Sequence, residues 1–157
     1  MAIIAPGTPV PEFVLKREDG GDFTQDDLKG HTTVLVFYPF AFSSVCTDQL
    51  QIYQEALEEL KEQGAVMYAV STDATPSQTA FREKLGVSIE QLSDFEPKGE
   101  TSKKLGTYFE PAGMTNRALV IVGPDGVVQW SHLADSPGDL PGVNLIFDGL
   151  AAGSGAS

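Results

Sequence analysis

The feature that most constrains the fold is a continuously apolar, β-branched run from Thr33 to Tyr38, which a helical pattern follows. A second apolar run, from Ala65 to Val70, comes after that helix and precedes another one. An apolar run without alternation is typical of a strand buried on both faces. Strands that alternate with helices form a central sheet with helices on its faces. We therefore expect an α/β fold.

The helix after the first strand is amphipathic. Its apolar residues recur at spacings of three and four: Leu50, Tyr53, Leu57 and Leu60. Charged residues occupy the other faces, and Gly64 provides a stop signal. The pattern predicts a helix of about four turns that begins at Cys46 or Thr47. The next helix has Pro76 in its first turn and ends at Gly86.

The remaining segments are expected to complete a mixed sheet. Residues 123–126, a Gly-Pro-Asp-Gly sequence, separate apolar runs at 118–122 and 127–131, which predicts a β-hairpin. A smaller N-terminal hairpin is expected around residues 19–21. We also expect a short strand at 90–93 and helices at 99–105 and 143–150. Residues 1–150 are expected to form one domain, followed by a flexible Ala/Gly/Ser tail at 151–157.

Charge and hydropathy exclude several classes of function. Ten Lys and Arg against 22 Asp and Glu give a net charge of −12, so the chain would repel nucleic acids and anionic membranes. The longest apolar run, from Val34 to Phe42, is interrupted by Pro39 and is too short to span a bilayer. The first residues lack the pattern of a secretion signal, and we expect a cytoplasmic protein.

The sequence contains one cysteine, Cys46, which excludes an internal disulfide and a Cys-rich zinc site. His31 and His132 have no carboxylate at ligand spacing, and we expect neither a metal nor a cofactor. Cys46 lies where a buried strand, after a short loop, gives way to a helix. Unpaired N–H groups and the positive end of the helix dipole favour a thiolate there. The alternative is an inert, buried cysteine.

The residues from Pro39 to Cys46 match the pattern P-x-x-x-[T/S]-x-x-C, with Ser43 at the hydroxyl position. By this motif the chain resembles the peroxiredoxins. The resemblance runs from about Pro6 to Phe147 and includes further segments: Gly7 to Leu15, Val34 to Tyr38, Leu92 to Asp94, and Arg117 before the Gly-Pro-Asp-Gly turn. The motif, its strand context and the distal arginine together make a specific signal.

The resemblance implies a thioredoxin-like fold and the reduction of hydrogen peroxide or organic hydroperoxides, with Cys46 as the peroxidatic nucleophile. Ser43 would place its hydroxyl beside the sulfur and hydrogen-bond to the peroxide. Arg117 would stabilise the thiolate and the charge that develops on the peroxide, although a structural ion pair is the alternative role for it. Pro39 would shield the thiolate from water.

Within the peroxiredoxins, the chain is most similar to the one-cysteine alkyl hydroperoxide reductase E type. Since it lacks a second cysteine, a sulfenic acid on Cys46 would need an external reductant: a low-molecular-weight thiol, a glutaredoxin-like or mycoredoxin-like protein, or thioredoxin. The family also implies a homodimer. Gln49 and Ser43 stand where many relatives carry Glu and Thr; serine keeps the hydroxyl, and Gln49 lacks the negative charge that a glutamate would offer the arginine. The candidates for an apolar substrate pocket are Phe40, Phe42 and Val45. Phe40, Phe42 and Tyr108 could present apolar surface to an alkyl substrate or to a dimer partner, and core packing is the alternative role for them.

Two other functions compete with the peroxidase. The segment from Ser43 to Cys46 also reads as a C-x-x-C motif without its first sulfur, which would suit a monothiol disulfide-exchange or thiol-binding protein on a thioredoxin-like fold. Such a protein requires neither Pro39 nor Arg117. A non-enzymatic acidic binding module is the third possibility, and it leaves the residues around the cysteine unexplained.

Overall fold

A computed structural model describes residues 3–41, 44–95, 98–135 and 143–155. Seven strands form a central sheet in the order β2-β1-β5-β4-β3-β8-β9. Their bounds are Val14–Arg17 (β1), Asp22–Thr24 (β2), Thr32–Phe37 (β3), Ala65–Ser71 (β4), Glu90–Ser93 (β5), Ala118–Val122 (β8) and Val128–Leu133 (β9). Two short strands, Tyr108–Phe109 (β6) and Met114–Thr115 (β7), pair separately.

The sheet is mixed, as the sequence predicts. Strands β3, β4 and β5 run parallel, so their carboxyl ends share one edge of the sheet. Strand β8 is antiparallel to β3, with Ala118 opposite Phe37. The start of β8 therefore lies at the same edge as the end of β3. Edges of this kind commonly carry ligand sites in α/β proteins.

Helices and helical turns connect these strands. The α-helices are Ser44–Glu55 (α1), Leu57–Glu62 (α2), Thr75–Leu85 (α3), Glu100–Leu105 (α4) and Val143–Gly155 (α5). Two 3₁₀ turns cover Gln25–Leu28 and Glu110–Ala112. Helices α1, α2, α3 and α5 contribute to one hydrophobic cluster, while α4 and the β1–β2 hairpin contribute to the other.

Strand β3 belongs to both clusters because successive side chains point to opposite faces of the sheet. Val34 and Val36 pack with the first cluster, and Leu35 and Phe37 pack with the second. All four are fully buried. This explains why the strand is apolar without alternation and confirms its predicted central position.

The boundaries of two helices differ from the expected ones. Helix α1 begins at Ser44, two residues before Cys46, and it is interrupted at Ala56 before α2. The expectation of one helix from Cys46 or Thr47 was wrong because the spacing of apolar residues marks the buried face of a helix and not the residue at which the helix begins. Helix α5 continues past residue 150 to Gly155, because alanine, which stands at positions 151 and 152, has a high helix propensity.

The other predicted elements are confirmed. The β8–β9 and β1–β2 hairpins, strands β4 and β5, and helix α4 lie where the sequence predicts them. Helix α3 ends at Gly86, which has φ +69° and closes the helix in the left-handed conformation. The small β6–β7 sheet was not predicted, because its strands are two residues long and carry no periodic signal.

Candidate active site

The loop after β3 holds Pro39 inside the protein. The Tyr38 N–H donates to the Val70 carbonyl at 3.0 Å, which continues the β3–β4 pairing past the end of β3. Pro39 is buried, whereas the Phe40 side chain is 38% exposed. Proline has no N–H, so burying it leaves no backbone donor to satisfy. The position of Pro39 suits the shielding role predicted for it.

Cys46 is the third residue of helix α1. The first turn of a helix has backbone N–H groups without intrahelical partners, and the helix dipole is positive there. The helical period aligns position 46 with positions 49, 50 and 53 along one face of α1. Phe42 and Ser43 lie outside the described residues, and so do the side chains of Val45 and Cys46.

Arg117 immediately precedes β8 and is buried, with 2% of its surface exposed. Its backbone N–H donates to Asn116 Oδ1 at 2.8 Å, and its carbonyl accepts from the Ala134 N–H at 2.9 Å. Asn116 Nδ2 in turn donates to the Ala134 carbonyl at 3.2 Å. These bonds fix the Arg117 backbone between β8 and the end of β9. The Cα atom from which its side chain extends is therefore held in place.

The Arg117 guanidinium reaches helix α1, where its Nη1 donates to Gln49 Oε1 at 2.7 Å. Gln49 is fully buried, and its Nε2 donates to the Tyr53 hydroxyl at 3.3 Å. These two bonds set the orientation of the amide, with its oxygen toward the cation. Since Gln49 lies one helical turn after Cys46, the contact brings the Arg117 charge to the N-terminal part of α1.

Tyr53 stays a neutral phenol in this cluster. Burial raises the pKa of Tyr53 to about 12, against the smaller opposing effects of the Gln49 hydrogen bond and the Arg117 charge. The partner of Arg117 at the Gln49 contact is also neutral. This contact therefore supports the guanidinium by hydrogen bonding and does not neutralise its charge.

Phe40 is the pocket candidate whose side chain the structure describes. It is 38% exposed, which argues against core packing. Tyr108 is half-buried, and the Lys103 ammonium lies 4.7 Å from the centre of its ring. A cavity of about 250 Å³ is lined there by Lys103, Gly106, Tyr108 and Glu110. Within the described ranges, this cavity does not include Pro39, Gln49 or Arg117.

The described part of the chain contains neither a cluster of metal ligands nor a membrane-spanning helix. No group of three or more His, Cys, Asp or Glu side chains is arranged to hold a metal ion among residues 3–41, 44–95, 98–135 and 143–155. Over the same residues, no helix has the length and apolar character needed to cross a membrane.

Comparison with known proteins decides the family. The AhpC/TSA family pattern matches residues 6–131. The chain belongs to this family. It is 29% identical to alkyl hydroperoxide reductase E of Mycobacterium tuberculosis over 147 residues, covering 93% of this chain and 95% of the relative. It is 36% identical to alkyl hydroperoxide reductase C of Amphibacillus xylanus over 129 residues, covering 78% of this chain and 69% of the relative.

Solved structures agree with this peroxiredoxin assignment. The crystal structure of Enterococcus faecalis AhpC superposes with a TM-score of 0.87 at 25% identity, covering 96% of this chain and 93% of that one. As a peroxiredoxin, the protein is a thiol-dependent peroxidase, which confirms the main functional prediction. The alternative of a monothiol disulfide-exchange protein is not favoured.

The sequence pointed to Arg117 but not to how it is held. From the sequence, Gln49 is only a residue that replaces the glutamate of many relatives, and Tyr53 is only an apolar residue of α1. A polar residue at spacing three from Cys46, on the apolar face of a helix, was the available signal. Its partner could not be read from the sequence because Gln49 and Arg117 are 68 residues apart.

Replacing Gln49 by Ala should destabilise the protein, because it removes an acceptor from a buried, charged donor. We expect the free energy of unfolding in urea to fall by about 1–3 kcal/mol. Gln54→Ala is the matched control, since Gln54 lies in the same helix and bonds to Ser88 at the surface. The control should lose about 0.5 kcal/mol or less. Equal losses in the two variants would contradict this account of Gln49.

Proposed function

We propose that this peroxiredoxin reduces peroxides by a one-cysteine cycle with Cys46 as the peroxidatic nucleophile. The observation that carries the proposal is the buried Arg117, whose guanidinium is hydrogen-bonded to Gln49 one turn after Cys46. A fixed positive charge and the N-terminus of α1 both lower the pKa of a nearby thiol. Two independent effects therefore support the proposal of a thiolate at position 46.

The first step is a displacement on oxygen. The Cys46 thiolate attacks the terminal oxygen of the peroxide, an S–O bond forms and the O–O bond breaks. The leaving oxygen departs as an alkoxide or hydroxide and takes up a proton, which leaves Cys46 as a sulfenic acid. The guanidinium of Arg117 stabilises the negative charge that grows on the oxygens. Because the group is held before substrate arrives, it needs no reorganisation during the reaction.

Ser43 and Pro39 complete the proposed site. The Ser43 hydroxyl donates to one peroxide oxygen and accepts from the proton of the other. Pro39 keeps water from the thiolate. Because proline has no N–H, Pro39 itself donates no hydrogen bond to the thiolate. Support for Pro39 comes from its burial at the end of β3.

The second step requires a thiol from outside these 157 residues, since they contain one cysteine. The external thiolate attacks the sulfenic sulfur and expels hydroxide, which takes up a proton to become water, and a mixed disulfide forms. A second thiol then attacks that disulfide and releases Cys46 with formation of the external disulfide. A low-molecular-weight thiol, a glutaredoxin-like or mycoredoxin-like protein, and thioredoxin all fit this chemistry.

We extend the proposal to substrate, assembly and location. The relatives named alkyl hydroperoxide reductase support organic hydroperoxides as substrates beside hydrogen peroxide, with Phe40, Phe42 and Val45 lining the apolar part of the pocket.

We propose a homodimer in the cytoplasm, in which residues 1–150 form one domain. Light scattering tests the dimer, and a monomer at working concentration would rule it out.

The catalytic roles are tested by following intact mass and stopped-flow fluorescence after one equivalent of hydrogen peroxide is added to the reduced protein. Cys46 should gain one oxygen orders of magnitude faster than free cysteine does. Arg117→Lys keeps the charge but loses the planar fork, and it should slow this step by at least about tenfold. Turnover should require an added thiol.

Arg82→Lys is the matched control, because Arg82 is an arginine in helix α3 that pairs with Glu18 at 2.9 Å. It should oxidise at the wild-type rate. The peroxidase mechanism fails if wild-type Cys46 reacts no faster than free cysteine. The role of Arg117 fails if Arg117→Lys and Arg82→Lys react alike.

Gln49→Glu tests the electrostatic part of the proposal. A carboxylate at position 49 would pair with Arg117 and would also place a negative charge one turn from Cys46. Both effects disfavour the thiolate, so the pKa of the Cys46 thiol should rise. The pH dependence of thiolate absorbance near 240 nm measures this pKa. An unchanged or lower pKa in Gln49→Glu would show that Gln49 does not tune the site.

A further inference from the structure

A carboxylate from the neighbouring strand holds the loop that leads to Cys46. Asp73 follows β4, and its Oδ2 accepts a hydrogen bond from the Ala41 backbone N–H at 2.7 Å. Tyr38 N–H is bound to Val70, and Pro39 has no N–H. The Asp73 bond is thus a fixed point of the loop, five residues before Cys46 in the sequence.

Asp73 is itself positioned by two serines from adjacent parallel strands. Ser71 Oγ donates to Asp73 Oδ2 at 2.8 Å, and Ser93 Oγ donates to the Asp73 carbonyl at 2.6 Å. Gln78 Nε2, from helix α3, donates to Ser71 Oγ at 2.9 Å and to the Leu92 carbonyl at 2.8 Å. Ser71 and Gln78 are fully buried. The carboxylate is therefore held rigidly against β4, β5 and α3, and it presents an acceptor of fixed position to the loop.

The Asp73 carboxylate connects separate parts of the fold. A carboxylate that accepts from a backbone N–H forms one of the stronger hydrogen bonds in proteins. Here it joins the ordered carboxyl ends of β4 and β5 to the loop after β3, which carries Pro39 and Ser43. Ala41 and Asp73 are both half-buried, so water can replace the bond when the carboxylate is removed.

We propose that Asp73 is a positioning residue that holds the loop from Pro39 to Ala41 in the arrangement that favours attack of Cys46 on peroxide, an inference that rests on the proposed function. The two steps of a one-cysteine cycle make opposite demands on this loop. Attack on peroxide needs the hydroxyl of Ser43 and the ring of Pro39 in place around the sulfur. Reduction needs the sulfenic sulfur to be reached by an external thiol. The Asp73–Ala41 bond favours the first step at the expense of the second.

The test compares Asp73→Ala with Asp73→Asn in the reduced full-length protein. Asp73→Ala removes the acceptor, whereas Asp73→Asn loses the charge but keeps an oxygen that can accept from Ala41. Oxidation of Cys46 by hydrogen peroxide should be about tenfold slower in Asp73→Ala, the lower end of the effect of losing a hydrogen bond to a charged group. Asp73→Asn should lie close to the wild type.

Reduction of the sulfenic acid separates positioning from general loss of structure. With dithiothreitol as the external thiol, this step in Asp73→Ala should be as fast as in the wild type or faster. Slowing of both steps by the same factor would contradict the proposal, and so would unchanged oxidation. Asp27→Ala is the matched control: Asp27 Oδ2 accepts from the Thr24 N–H at 2.8 Å, near the amino end of β3. Its two rates should equal those of the wild type.

Hydrogen exchange at the Ala41 amide tests the same contact without chemistry at Cys46. Exchange should be protected in the wild type and in Asp27→Ala, and faster in Asp73→Ala. Unchanged Ala41 exchange in Asp73→Ala overturns the inference about Asp73. Slow oxidation of the wild type overturns the proposed function instead, so the two failures are distinguishable.

Discussion

The Arg117 guanidinium is a permanent positive charge inside the protein, and its burial constrains everything around it. Burying such a group is costly unless its donors are hydrogen-bonded. Asn116 and Ala134 fix its backbone, and the Gln49 amide, itself ordered by Tyr53, accepts from its Nη1. A protein accepts this cost at a functional site more readily than elsewhere, because a desolvated cation acts strongly on a neighbouring anion.

The topology of the sheet explains why this charge reaches the helix that carries Cys46. Three parallel strands end at one edge, and the antiparallel β8 begins there, directly after Arg117. The chain leaving β3 forms the loop with Pro39 and enters α1 two residues before Cys46. The chain leaving β4 contributes Asp73. Groups that are far apart in the sequence thus converge on one edge without any local pattern that announces it.

The sequence predicted the fold well where a local pattern reports burial. The apolar run of β3, the spacing of Leu50 and Tyr53 in α1, and the Gly-Pro-Asp-Gly turn each leave such a pattern. Arg117 was also found, since it is one of three arginines and it opens a buried strand. The break at Ala56 and the start of α1 were missed because they lie where no apolar periodicity marks them.

The contacts that organise the candidate site were not predictable, because they are side-chain hydrogen bonds over long sequence separations. Gln49 and Arg117 are 68 residues apart, and Ala41 and Asp73 are 32 apart. In the sequence Asp73 is compatible with an ordinary surface role, and the position of Gln49 on the apolar face of α1 does not identify its partner. The pairing of β3 with β4 and β8 brings the ends of these strands to one edge of the sheet, and the hydrogen bonds Arg117–Gln49 and Ala41–Asp73 form there.

The central claim is that the N-terminus of α1 and the buried charge of Arg117 make Cys46 a thiolate at neutral pH. The most direct measurement is the rate of alkylation of Cys46 by iodoacetamide in the reduced wild-type protein as a function of pH. We predict a thiol pKa well below about 8.5, the value of an unperturbed cysteine. A pKa at or above that value would contradict it.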